Sequence, residues 1–289
     1  MNTENITKNI LNKYCITANK RLGQNFLIND TILQKITEVA NVTNEDLVIE
    51  IGPGIGNLTE YLIKKAKYVL AFEIDNKMIE ILNNRFKDLK NLCIVHEDIL
   101  KVDINKEIEK VVGKFNKIKV VANLPYYITT PILFKLLNDT NNISEIFVMV
   151  QKEVAQRITA NTKNKNYGVL SLMCQYLSIS KICFYVENNN FIPCPKVDSA
   201  IVSFEKVKRY DIKDEKIFLE LIHKSFMQRR KKLINSLVLN DFLNEKKEFI
   251  ESLLKDCNIS ENIRAEELSI DQYVAISNYI ASKYKKSSI

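Results

Sequence analysis

The sequence has no tryptophan, only two histidines, and no cysteines at metal-ligand spacing. Its six cysteines, Cys15, Cys93, Cys174, Cys183, Cys194 and Cys257, include no Cys-x-x-Cys pair, and His96 and His223 lie far apart. No structural zinc centre, thiol redox pair or histidine metal site is therefore expected. Scattered cysteines instead read as small apolar fillers in a reducing compartment. No apolar run approaches the roughly 20 residues of a membrane span. The opening MNTENITKNILNKYC lacks the apolar core and cleavage site of a signal peptide. These absences point to a cytoplasmic protein that works without a metal and away from membranes.

What is present suits a globular protein: 289 residues, 46% hydrophobic and 27% charged. The length allows one α/β domain and a smaller companion. The net charge of +7 is modest, but basic residues cluster at Lys20-Arg21, at Lys163 and Lys165, and at Arg229-Arg230-Lys231-Lys232. Such clusters beside a site favour phosphate contact, so Lys20, Arg21, Arg229, Arg230, Lys231 and Lys232 are candidate RNA-binding residues.

From Leu47 to Phe204, short β-branched runs alternate with helical patterns. The strand candidates are Leu47–Ile51, Tyr68–Glu73, Leu92–Val95, Lys119–Ala122, Glu145–Val150, Ile182–Val186 and Ala200–Glu205. This alternation predicts a mostly parallel sheet wrapped by helices, with the last two strands free to pair antiparallel. After about Tyr210 helical periodicity dominates, through Lys213–Lys224, Gln228–Leu239, Glu245–Lys255 and Asp271–Lys283. The expected division is an N-terminal extension over 1–19, an α/β domain over 20–208 and an all-helical domain over 209–289.

Glycine (six) and proline (five) are scarce, so their positions are informative. One group forms Gly52-Pro53-Gly54-Ile55-Gly56 after the first strand, where a backbone without Cβ lets a ligand approach closely. The Gly-x-Gly-x-Gly spacing departs from the Gly-x-Gly-x-x-Gly of dinucleotide folds. Glu73 ends the next strand, placed to accept from ribose hydroxyls, and Asp98 follows the third, placed to accept from an adenine amine. Together these positions point to bound adenosine.

The chemistry is read from Asn123-Leu124-Pro125-Tyr126. An adenine amine is a poor nucleophile because its lone pair is delocalised into the ring. Two acceptors on its N–H groups, the Asn123 side-chain carbonyl and the Leu124 backbone carbonyl, would favour a pyramidal nitrogen. Pro125 biases Leu124 toward an extended conformation, and Tyr126 offers a stacking face. The nitrogen becomes acidic as it alkylates, so no general base is needed. Phe191, ahead of Pro193 and Pro195, is expected to sandwich an extruded base against Tyr126.

These motifs, in order with Arg21-Leu22-Gly23-Gln24-Asn25-Phe26-Leu27, resemble the rRNA adenine N6,N6-dimethyltransferases from about Lys20 to Leu268. The resemblance implies a Rossmann-like class I methyltransferase domain with a mostly parallel seven-stranded sheet, and a small all-helical C-terminal domain. It implies S-adenosyl-L-methionine as cofactor, held by Asn25, Leu27, Gly52, Gly54, Glu73, Ile74, Asp98, Ile99 and Asn123. Asn123, Leu124, Pro125, Tyr126 and Phe191 would be the catalytic set. One branch of the family dimethylates two adjacent adenosines near the 3′ end of 16S rRNA in the immature small subunit. The other, the erythromycin-resistance group, modifies 23S rRNA. Lys20–Leu27, Asn123–Leu133, Arg229–Leu237 and Arg264–Leu268 resemble the first branch, for which a monomer acting on RNA and not DNA is expected. An assembly factor whose methylation is dispensable is the reading from another class, and a DNA adenine methyltransferase is a third.

Overall fold

The computed structural model describes residues 2–16, 24–138, 140, 142–240, 242 and 246–286. Its first half runs α1 (Thr3–Lys13), β1 (Phe26–Leu27), α2 (Asp30–Val39), β2 (Leu47–Ile51), α3 (Asn57–Lys65), β3 (Tyr68–Glu73), α4 (Asn76–Arg85), β4 (Leu92–His96), α5 (Ile104–Lys110) and β5 (Ile118–Asn123). Then follow α6 (Thr129–Asn138), β6 (Ile143–Gln151), α7 (Lys152–Ile158), α8 (Val169–Leu177), β7 (Ser178–Val186), β8 (Phe191–Ile192) and β9 (Ser199–Lys206). The helices α9 (Glu215–Phe226), α10 (Leu233–Leu239), α11 (Lys247–Asp256) and α12 (Ile270–Lys286) complete the chain. Asn29, Asp75, Asp103 and Asp214 each accept a first-turn N–H, which fixes where α2, α4, α5 and α9 begin.

Among the described residues a seven-stranded sheet has the order β4-β3-β2-β5-β6-β9-β7. The pairs β3–β4, β2–β3, β2–β5 and β5–β6 are parallel, and β9 runs antiparallel to β6. The five residues of β2, Leu-Val-Ile-Glu-Ile, are all buried, as the unbroken apolar runs of a sheet covered on both faces require. The order changes direction beside β2 and β5, and the carboxyl ends of those strands carry the glycine loop and Asn123. A second, two-stranded sheet pairs Phe26 with Ile192 and Leu27 with Phe191.

The chain divides into two compact units, Met1–Ala155 with Ser180–Lys206, and Gln156–Ile179 with Val207–Ile289. The expected contiguous domain over 20–208 is corrected accordingly. The segment 156–179, with α8, belongs to the helical unit, which the chain enters within α7 and leaves within β7. Tyr167 explains the grouping: it is 1% exposed, and its hydroxyl donates to the Leu268 carbonyl at 2.9 Å. Phe226 lies between Tyr167 and Tyr273, with ring centroids 6.2 and 6.5 Å away. The described residues of the expected extension over 1–19 form α1, which belongs to the first unit.

The helix expected over Gln228–Leu239 starts only at Leu233. Four adjacent cations, Arg229 to Lys232, would crowd one helical turn with like charge. They occupy a turn instead, and the Leu233 N–H donates to the Ile263 carbonyl at 2.8 Å. Among the described residues no helix is long and apolar enough to cross a membrane.

Candidate active site

A cavity of about 230 Å³ opens at the carboxyl ends of β2, β3, β4 and β5. Its floor is the glycine loop. Gly52, Gly54 and Gly56 have φ of 65°, 58° and 87°, in the left-handed region that favours glycine. At Gly56 a Cβ would also come within 2.5 Å of the Phe86 ring, so loop and α4 close on each other only without a side chain there. The loop therefore presents backbone to the cavity.

Two carboxylates flank this floor. Glu73 is 7% exposed, and its Oε1 accepts the Ile74 and Asp75 N–H groups at 2.8 and 2.9 Å. Its Oε2 accepts the Gly54 N–H at 3.0 Å. Burial raises its pKa despite these three bonds. A carboxylate has about four acceptor sites, so in this rotamer Glu73 has room for about one ribose hydroxyl and not for two. Asp98 Oδ1 accepts the Leu100 N–H at 2.9 Å and so caps its own turn. Ile74, 49% exposed, and buried Ile99 line the cavity beside these acids.

The Asn-Leu-Pro-Tyr segment follows β5. Asn123 Nδ2 donates to the Asn25 carbonyl at 3.2 Å, which commits the donor end of the amide and turns Oδ1 into its available acceptor. The Leu124 N–H is held by the Met149 carbonyl at 3.2 Å, and Pro125 follows with φ −59°. Tyr126 shares a 2.7 Å hydrogen bond with the Ser199 hydroxyl, which ties its ring to the start of β9. Burial raises the Tyr126 pKa.

Asn25, Leu27, Gly52, Gly54, Glu73, Ile74, Asp98, Ile99 and Asn123 all line this one cavity, as do Leu124, Pro125 and Tyr126. Phe191 does not. It is 2% exposed, paired with Leu27 and packed in a cluster with Leu33, Ile36 and Val186. Its expected role as a stacking face is corrected: the apolar ring contributes more to the core than it would at a wet rim, and the segment after it reaches Tyr126 through Ser199.

Among the lining residues that sequence reasoning passed over are Glu50, Asn57, Leu100 and Tyr127. Glu50 is 1% exposed, and burial pushes its carboxyl up to about 8, with a 2.7 Å bond from the Thr59 hydroxyl opposing the shift. The signal for Glu50 was a lone charge inside Leu-Val-Ile-Glu-Ile. Tyr127 and Leu100 are exposed and line the cavity, where a ligand would cover them.

The basic residues divide. Lys20 and Arg21 lie outside the described residues. In the helical unit, Arg229 Nε binds Glu266 at 2.5 Å and Nη1 donates to the Lys165 carbonyl at 2.7 Å. Lys232 donates to Asn262 at 2.6 Å. Arg229 is thus a structural clamp, whereas Arg230 and Lys231 are exposed.

With the site in place, comparison with known proteins is informative. Residues 16–282 match the family model described as ribosomal RNA adenine dimethylase. The chain is 45% identical over 287 residues to ribosomal RNA small subunit methyltransferase A of Clostridioides difficile, covering 98% of each chain. It is 46% identical to the protein of the same name from Lactococcus lactis, covering 94% of this chain and 93% of that one. A crystal structure of a dimethyladenosine transferase from Plasmodium falciparum superposes with a TM-score of 0.75 at 27% identity, over 91% of this chain and 98% of that one. The fold is accordingly that of the class I methyltransferases, and the chain belongs to the ribosomal RNA adenine dimethylase family, whose members are rRNA-modifying methyltransferases.

Proposed function

We propose that this enzyme transfers methyl groups from S-adenosyl-L-methionine to the N6 amines of two adjacent adenosines near the 3′ end of 16S rRNA, giving N6,N6-dimethyladenosine. The carrying observation is the oriented Asn123 amide. With Nδ2 committed to the Asn25 carbonyl, Oδ1 is the acceptor offered at the cavity, one residue before the Leu124 carbonyl.

The donor set suits an adenosyl ligand. Buried Glu73 would accept from a ribose hydroxyl and Asp98 from an adenine amine, Ile74 and Ile99 would cover the adenine faces, and the Gly52–Gly54 backbone, with Asn25 and Leu27, would hold the remainder. When bound, the cofactor supplies an electrophilic methyl group on a sulfonium centre. In the first transfer Asn123 Oδ1 and the Leu124 carbonyl accept the two N–H groups of the target amine and direct its lone pair; in the second, one of them accepts the single remaining N–H. Pro125 holds the Leu124 carbonyl in place, and Tyr126, anchored by Ser199, stacks on the extruded base, a contact worth about 1–3 kcal/mol. The proton leaves the alkylated nitrogen for solvent, so positioning supplies most of the rate.

The names of the relatives support the small-subunit substrate over the 23S reading. In this reading the protein acts as a cytoplasmic monomer on immature particles, with Arg230 and Lys231 among its phosphate contacts. The test is nucleoside mass analysis after incubation with immature small subunits that lack the modification and with labelled cofactor. Up to four methyl groups, two on each adenosine, are expected. Incorporation only into protein-free 23S RNA would establish the other branch, and incorporation into duplex DNA would overturn both. Normal subunit maturation with an Asn123→Ala enzyme would make methylation dispensable to an assembly role.

A further inference from the structure

Helix α1 is bonded into the floor of the cofactor cavity through one buried amide. Asn57, 5% exposed, is the first residue of α3. Its Nδ2 donates to the Thr7 hydroxyl at 2.8 Å and to the Leu27 carbonyl at 2.9 Å. Its Oδ1 accepts from Arg85 Nη1 at 3.2 Å, and the same nitrogen donates to the Ile55 carbonyl at 2.8 Å. The amide therefore joins α1, β1, the glycine loop and α4 at a single point. Leu27 and Ile55, the two backbone positions it holds directly or through Arg85, both line the cavity.

Two more ties hold α1 in place. The Thr3 hydroxyl bonds Asp30, which also accepts from Tyr61 on α3 at 2.6 Å. Ile10, Leu11, Tyr14 and Ile16 pack on a cluster containing Phe26 and Ile55, two further contacts with cavity-lining residues. Thr7 is fully buried, and Asn57 itself lines the cavity, so loss of the hydroxyl frees an amide N–H at the edge of the site. The glycine loop, with three residues at positive φ, is tied to this amide through Arg85.

We propose that α1 is a working part of the cofactor site, with Thr7 and Asn57 as positioning residues that set the spacing between Leu27 and the glycine loop for an adenosyl ligand. This rests on the cofactor reading given above. The test measures binding of S-adenosylhomocysteine to the full chain by calorimetry, for wild type, Thr7→Val, Thr7→Ser and Asn57→Ala, with melting temperature taken in parallel. Thr7→Val and Asn57→Ala should raise Kd about five- to tenfold. Thr7→Ser keeps the hydroxyl and should stay within twofold of wild type. If Thr7→Val does not yield folded protein, Thr7→Ala carries the same expectation. Wild-type Kd in both Thr7→Val and Asn57→Ala, with only the melting temperature lowered, would make α1 a scaffold and overturn the proposal. A wild-type chain that fails to bind S-adenosylhomocysteine would instead overturn the cofactor reading itself.

Discussion

A buried acid sits at each end of strand β2, and the two are treated in opposite ways. Before its first residue, Asp46 is 1% exposed and meets Lys119 at 3.0 Å, itself only 2% exposed. The same ammonium donates to the Ala40 and Asn41 carbonyls at 3.1 and 2.6 Å, so its three donors are all used. Near the other end, Glu50 (1% exposed) and Glu73 (7%) are also buried, yet no lysine or arginine forms an ion pair with either among the described residues. They are held by a hydroxyl and by backbone N–H groups. The amino end of the sheet is complete in itself. The carboxyl end is left with acceptors for a ligand to satisfy, and that asymmetry locates the working end without reference to any motif.

Breaking the finished end should have the largest effect. Lys119→Met leaves Asp46 charged and unpaired in the interior, at a cost of about 3–5 kcal/mol in unfolding free energy by urea titration. Its S-adenosylhomocysteine Kd should stay within twofold of wild type. A tenfold loss of binding would mean that the two ends are coupled through β2 and β5. The opposite profile is expected at the unfinished end. Asn123→Ala removes the oriented acceptor, and single-turnover methylation should slow about 10²–10³-fold, as for loss of one preorganised transition-state contact. Its melting temperature should stay close to wild type. A destabilised but active Asn123→Ala protein would reverse the assignment of chemistry and scaffolding.

Those two ends differ as much in legibility as in energetics. Gly52–Gly56, Glu73, Asp98 and Asn123–Tyr126 could be read because strand ends in a parallel sheet are marked by a change from an apolar run to glycine, acid or proline. The central strands were equally plain, being near-continuous β-branched runs. Phe26–Leu27 and Phe191–Ile192 form strands of two residues each, too short for any periodicity, so the burial of Phe191 had no local signature. The assignment of 156–179 to the helical unit depends on Tyr167 reaching Leu268, about a hundred residues away. Thr7 and Asn57 were silent for a related reason: each is an ordinary polar residue in a helical pattern, and only their meeting across 50 residues gives them meaning. Lys119 and Asp46 were equally silent, because a finished ion pair looks in sequence like two surface charges.

The smallest effect should come from Glu50, and it sharpens the comparison most. Its carboxyl is pushed by burial from an ordinary value of 4.5 up to about 8, and Glu73 is shifted in the same direction. A folded-state pKa above the unfolded one means that the native chain binds the extra proton. Stability is therefore fully present below about 4.5 and declines as pH rises toward 8. Glu50→Gln keeps an acceptor for Thr59 but has no charge to bury. It should fall below wild type near pH 4, where Glu50 is neutral, and exceed it at pH 8 by about 2 kcal/mol. That is less than the whole shift would imply, because the new amide N–H groups also need partners. Paired urea titrations between pH 4 and pH 9 would measure this. Parallel wild-type and Glu50→Gln profiles would show that Glu50 is neutralised from within the fold, and the carboxyl end of β2 would then be as finished as the end held by Lys119. Divergent profiles that converge on adding S-adenosylhomocysteine would show the ligand supplying what the fold withholds.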